Sequence, residues 1–144
     1  MLSGISPLLT GALLMHLDEM GHSDSVVIAD AHFPSARLAR RFVDLPGTSA
    51  TDVVAAIRYL LPLDDDAPLD LMAPPDGARL PIHDQLIAAA RIGAGEPRLV
   101  DRFAYYGLAA DAFVIVRTGE RRTYANALLR KGIVAEIAVS TRTS

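Results

Sequence analysis

Apolar residues along this chain keep switching between a helical and a strand rhythm. Leu13, Leu14, Leu17 and Met20 recur on one helical face between Thr10 and Met20. Thr10 can cap that helix, and Gly21 can end it in a left-handed turn. Residues 25–30 read differently: Val26, Val27, Ile28 and Ala29 form a continuous apolar run, the pattern of a strand covered on both faces. Pro34 discourages its continuation, which leaves Asp30 at the strand's carboxyl end. A basic link through Arg37, Arg40 and Arg41 leads to Ser49-Ala50-Thr51-Asp52, which resembles a capping box with Asp in the usual Glu position. It opens a helix to about Leu61, closed by Pro62. An acidic turn, Asp64-Asp65-Asp66, precedes an apolar segment near Leu69 to Ala73. The pattern then predicts a helix from Pro81 to Ile92 before Gly93, a strand over Arg98 to Arg102, a helix over Phe103 to Ala112 and a strand over Phe113 to Arg117. Residues 124–139 fit either a short helix plus strand or an extended hairpin. Strands alternating with helices imply one α/β domain over residues 1–144, a mostly parallel sheet with helices on both faces in three layers.

Composition narrows what such a domain does. The hydrophobic fraction of 51% exceeds the usual soluble average, which points to apolar surface buried between subunits. A net charge of -3 argues against nucleic acid and anionic membrane partners, and a small neutral ligand fits better. Without cysteine there is no disulfide framework and no thiol chemistry. No Lys or Arg precedes Arg37, so the basic start of a secretory leader is missing, and no apolar run approaches the ~18 residues of a membrane span. These features predict a soluble, cytoplasmic protein.

The candidate chemistry centres on His22, just before the first strand, and Asp30, at its far end. In open α/β sheets ligands bind at the carboxyl edge, so these two are read as a proton-handling pair sharing a pocket. The alternative for His22 is a helix-terminal histidine facing the last carbonyls, and for Asp30 a turn-starting carboxylate. His32 reads as a polar loop residue. Arg102 offers a rigid fork of donors, and Tyr124 and Asn126 add a hydroxyl and a two-sided amide suited to a polar ligand. His22-Ser23-Asp24 and Asp30-Ala31-His32 carry residue types that hold metals, but neither has a recognised ligand spacing. Thr118-Gly119-Glu120-Arg121-Arg122 lacks the Gly-rich loop and Lys of a phosphate loop and reads as a solvated turn.

Taken in order, Ile5-Ser6-Pro7-Leu8, the Met20-Gly21-His22 to Pro34 block, Val100-Asp101-Arg102-Phe103-Ala104-Tyr105-Tyr106 and Thr118-Gly119-Glu120 through Tyr124-Ala125-Asn126 resemble the L-fucose mutarotase and D-ribose pyranase family, out to about Gly132. The resemblance implies an isomerase that interconverts the anomers of a free aldose, with His22 as acid/base residue and Asp30, Arg102 and the Tyr124-Ala125-Asn126 triplet binding the sugar. Only proton transfers are needed, so no cofactor and no metal is expected. A neutral imidazole with a pKa near ~6.5 suits that work. Arg102 in this context resembles the fucose-type branch, whereas Ala125 matches the ribose-type residue where fucose-type members carry glycine. The family also implies a ring-shaped homo-oligomer, a decamer in its best-known cases, with sites near subunit contacts. A non-catalytic sugar-binding module or a structural assembly subunit would use the same surface without a proton shuttle.

Overall fold

The computed structural model describes residues 1–92 and 97–136. Its elements are α1 (Gly11–Glu19), β1 (Ser25–Ala29), α2 (Ser35–Leu38), β2 (Phe42–Leu45), α3 (Ala50–Leu60), β3 (Asp70–Met72), α4 (Pro81–Ala90), β4 (Arg98–Val100), α5 (Arg102–Asp111), β5 (Val114–Thr118) and β6 (Ala127–Arg130). Among the described residues six strands form one sheet in the order β2-β5-β1-β6-β3-β4. β1, β2 and β5 run parallel, as do β3 and β4, while β6 is antiparallel to both of its neighbours, β1 and β3. The expected three layers are present. Val26 and Ile28 of β1 point into a core with Leu13, Leu17, Val53, Ile57 and Leu86, so α1, α3 and α4 cover one face. Val27 and Ala29 alternate into a second core with Tyr105, Ala109 and Ile115, under α5.

Local signals explain most of the boundaries. Thr10 Oγ1 accepts the Leu13 N–H at 3.4 Å, and Ser49 Oγ accepts the Asp52 N–H at 3.1 Å, so both expected caps are formed. Asp101 Oδ1 caps α5 through the Phe103 and Ala104 N–H groups, which places Arg102 on the first helical position rather than in β4. α4 stops at Ala90 because Arg91 turns left-handed at φ 46; Gly93, expected as its stop, lies outside the described residues. The ambiguous C-terminal stretch resolves to a strand, β6, as far as it is described; residues 137–144 lie outside.

Two expectations are corrected. The basic link holds a one-turn helix and an edge strand, α2 and β2, with only Val43 and Leu45 of β2 buried. Gly21 does not end α1 in a left-handed turn: the helix leaves through an extended Met20, and the left-handed residue is Ser23, at φ 72. The reason is Lys131. Its Nζ donates to the carbonyls of Leu17 at 2.7 Å, Asp18 at 3.3 Å and Met20 at 2.7 Å, satisfying helix-end acceptors that a glycine turn would otherwise close.

Candidate functional site

Five of the six candidate residues gather at the carboxyl edge of the parallel strands. Asp30 follows β1 and is 3% exposed. Its Oδ1 accepts the His32 and Phe33 N–H groups, both at 2.9 Å, and its Oδ2 accepts Asn126 Nδ2 at 3.2 Å. Its own N–H donates to Asn126 Oδ1 at 2.8 Å. Asp30 and Asn126 are thus locked by a reciprocal pair of bonds across β1 and β6. The Ala125 main-chain N–H also faces this carboxylate, so its acceptor directions are met from both loops. Burial raises the Asp30 pKa above the ordinary carboxylate value, partly offset by the His32 and Phe33 amides.

Tyr124, Ala125 and Asn126 lead into β6. The strained position is Tyr124, at φ 62, a left-handed conformation that costs a non-glycine residue roughly 1–2 kcal/mol. Ala125 is fully buried and is not at positive φ, so the backbone does not demand glycine in the middle of the triplet. Arg102 stands exposed at the start of α5, with its guanidinium 4.7 Å from the Phe103 ring centre. It makes no bond to Asp30. An aromatic row connects them: Phe103 to Tyr106 at 6.1 Å, and Tyr106 to Phe33 at 5.5 Å, each edge to face.

His22 is not in this group. It sits in the turn before β1, and its exposed ring lies 3.6 Å from Asp64 Oδ2. β1 alone spans about 13 Å at ~3.3 Å per residue, so within one chain His22 and Asp30 occupy opposite ends of the sheet. The expected shared pocket does not exist in the single chain. The His22 turn is nonetheless built: Gly21 N–H donates to Asp24 Oδ2 at 2.7 Å, and Ser23 N–H and Asp24 O bond the main chain of Lys131.

Sequence reasoning passed over two further residues at the carboxyl edge. His83 on α4 is fully buried; Nδ1 accepts the Leu80 N–H at 2.9 Å, which leaves Nε2 as donor to Met72 O at 2.9 Å. Burial lowers its pKa, and its ring also faces the Tyr124 main chain. Met72 Sδ in turn takes Asn126 Nδ2 at 3.7 Å. A histidine among Ile82 and Leu86, on the buried side of a helix, was the available signal. Glu120 is 7% exposed and Thr118 2%, so the expected solvated turn is a packed one. Its sequence signal was the acid and two bases, Glu120, Arg121 and Arg122, directly after Gly119.

No group of three or more metal-ligating side chains converges among the described residues, and no helix there is long and apolar enough to cross a membrane.

A single α/β domain with polar residues convergent at the carboxyl edge of its sheet defines the class as small-ligand-binding. The chain belongs to the RbsD / FucU transport protein family, whose sequence profile matches residues 3–134. Its fold is similar to that of a fucose mutarotase from Streptococcus pneumoniae solved with L-fucose, at 32% identity and TM-score 0.85, covering 93% of this chain and 100% of that one. It is also similar to FucU from Bifidobacterium longum, at 33% identity and TM-score 0.81, covering 92% and 100%. RbsD from Bacillus subtilis, complexed with D-ribose, shares the fold at 23% identity and TM-score 0.76, covering 94% and 100%.

Proposed function

We propose that this protein interconverts the α and β anomers of a free aldose, L-fucose before D-ribose, by acid/base-assisted ring opening and closure. The observation that carries the reading is the buried Asp30–Asn126 lock at the carboxyl edge of the sheet, in a chain similar along nearly its whole length to a mutarotase solved with L-fucose. In the proposed reaction a base removes the anomeric hydroxyl proton as the bond from the anomeric carbon to the ring oxygen breaks. The ring oxygen takes a proton, the aldehyde end rotates, and reclosure returns both protons. Asp30, Tyr124 and Asn126 hold sugar hydroxyls, with Ala125 in their backbone, and Arg102 contributes its donor fork. His22 is the acid/base residue.

His22 and Asp30 lie at opposite ends of one chain, so a site that uses both takes His22 from a neighbouring copy. The proposed site then lies at a contact between copies, and a head-to-tail contact of this kind forms a ring when its rotation closes. A homo-oligomer, decameric by the family's habit, is therefore part of the proposal. Arg102 supports L-fucose; Ala125 is the observation that favours the ribose-type pyranose/furanose reaction.

Exchange NMR on equilibrated L-fucose and D-ribose tests the reaction directly. Wild-type protein accelerates exchange between the anomers of L-fucose, and His22→Ala loses that acceleration while retaining sugar binding. A larger effect on D-ribose moves the substrate to the ribose type, and no effect on either sugar refutes the reading.

A further inference from the structure

The segment Thr118 to Arg122 is more heavily bonded than its composition suggests. Thr118 Oγ1 donates to Ala29 O at 2.7 Å and accepts the Glu120 N–H at 3.2 Å. Glu120 O then accepts the Ala31 N–H at 2.8 Å, and Arg121 O faces His32 Nε2 at 3.1 Å. Together with the Asp30–Asn126 pair, these bonds join the loop after β1 to the loop before β6 residue by residue.

The Glu120 carboxylate anchors this double loop to the rest of the sheet edge. Oε1 accepts the Ala50 N–H, the first of α3, at 3.3 Å and Arg122 Nη2 at 3.0 Å. Oε2 accepts Arg122 Nε at 3.1 Å and the Arg122 N–H at 3.3 Å. Arg122 Nη1 reaches on to Gln85 Oε1 of α4 at 2.9 Å. The main chain is also pressed close here: a Cβ on Gly119 would stand 2.6 Å from Gly47 N, just before α3. The Arg122 guanidinium, with help from the Ala50 amide, keeps the Glu120 carboxyl ionised below the usual range despite burial.

The geometry points to Glu120 as a positioning residue: by tying α3 and α4 to both loops, it sets the spacing between Asp30 and the Tyr124–Asn126 segment. It touches no substrate in this role. The inference rests on the proposed sugar site for its functional consequence, but the spacing itself is measurable without sugar. Four donors converge on the carboxylate, two on each oxygen, so a neutral amide of the same shape presents N–H to N–H at two of them.

Full-length Glu120→Gln, Arg122→Met and Arg121→Met are the variants to compare, the last because the Arg121 side chain makes no hydrogen bond among the described residues. The first readout, without sugar, is the Asn126 side-chain amide in nitrogen–proton spectra. In Glu120→Gln its signals move and its protons exchange with water about tenfold faster, while Arg121→Met matches wild type. The second is kinetic: for L-fucose, KM rises about tenfold in Glu120→Gln while kcat stays within about twofold, since the residue holds the binding groups and not the proton shuttle. A folded Glu120→Gln protein with wild-type Asn126 signals and wild-type KM overturns the assignment. If Glu120→Gln does not fold, Arg122→Met decides, with the same two shifts expected in smaller measure and their absence counting against it. If wild type accelerates neither sugar, the proposed reaction fails, and the Asn126 signals alone judge whether Glu120 sets this spacing.

Discussion

His83 shows how a single buried ring can make the sheet edge sensitive to pH. Its Nδ1 accepts a main-chain N–H, and that bond is lost when the ring is protonated. Burial depresses the folded-state pKa below the unfolded value, so between the two the unfolded chain binds more protons and stability rises with pH. The stabilisation is complete above about pH 6.5 and drains away as pH falls through that value toward the depressed pKa. Thermal melts from pH 7.5 downward are therefore expected to show wild type losing stability below about pH 6.5, with a flatter profile in His83→Gln. Parallel profiles would remove His83 as the source. Lys131 acts at the other end of the sheet. Lys131→Met uncovers two carbonyls of α1 and that of Met20 just past it, beside the His22 turn, and a cost of about 1–2 kcal/mol is expected in urea unfolding. An unchanged midpoint would mean water satisfies those carbonyls equally well.

Among the elements, β3 carries the most demanding electrostatics. Asp70 is fully buried and binds Arg98 of β4 through two bonds, at 2.7 and 2.9 Å, and Arg130 of β6 at 2.8 Å, so one carboxylate ties together three strands. Asp70→Asn would leave both guanidiniums short of a counter-charge, a loss of about 3 kcal/mol, at the low end for a buried pair because Arg98 is 54% exposed. Chemical unfolding measures it, and a loss under about 1 kcal/mol would mean that solvent already screens the cluster. α1, β1, α3, α4, α5 and β5 were legible in the sequence because each carries enough apolar positions to declare its period. β2 was not, since four residues at an edge with two buried give no run, and α2 is a single turn. The direction of β6 has no local signal either, because pairing is decided by what lies on each side. The site was legible in its parts: Asp30, Arg102, Tyr124, Ala125 and Asn126 do share one edge. The separation of His22 from Asp30 follows from strand rise alone, and the pairing expectation overlooked that rise. His83 and Glu120 escaped because a lone polar residue on a buried face reads like any other until its partners are known.

For the whole molecule, the two ends of the sheet have different tasks, and the proposed site exists only where two copies meet. Mixing separates the tasks. His22→Ala and Asp30→Asn are each expected to be inactive alone, yet co-expressed chains regain about one quarter of wild-type exchange, because some contacts then join an intact His22 to an intact Asp30. No recovery, from mixed oligomers verified by mass, would place both residues' work within one chain or elsewhere. The fold also has a temporal consequence, which follows from the position of β6. β6 stands between β1 and β3 in the middle of the sheet, so without it the strands β2, β5 and β1 have no strand connecting them to β3 and β4. A ribosome adding roughly 5–20 residues per second must therefore extrude the chain through β6 before the two halves can be sewn together. Until then their open flanks are exposed to any other nascent strand, and a ribosome that stalls before residue 127 releases two half-sheets with sticky margins.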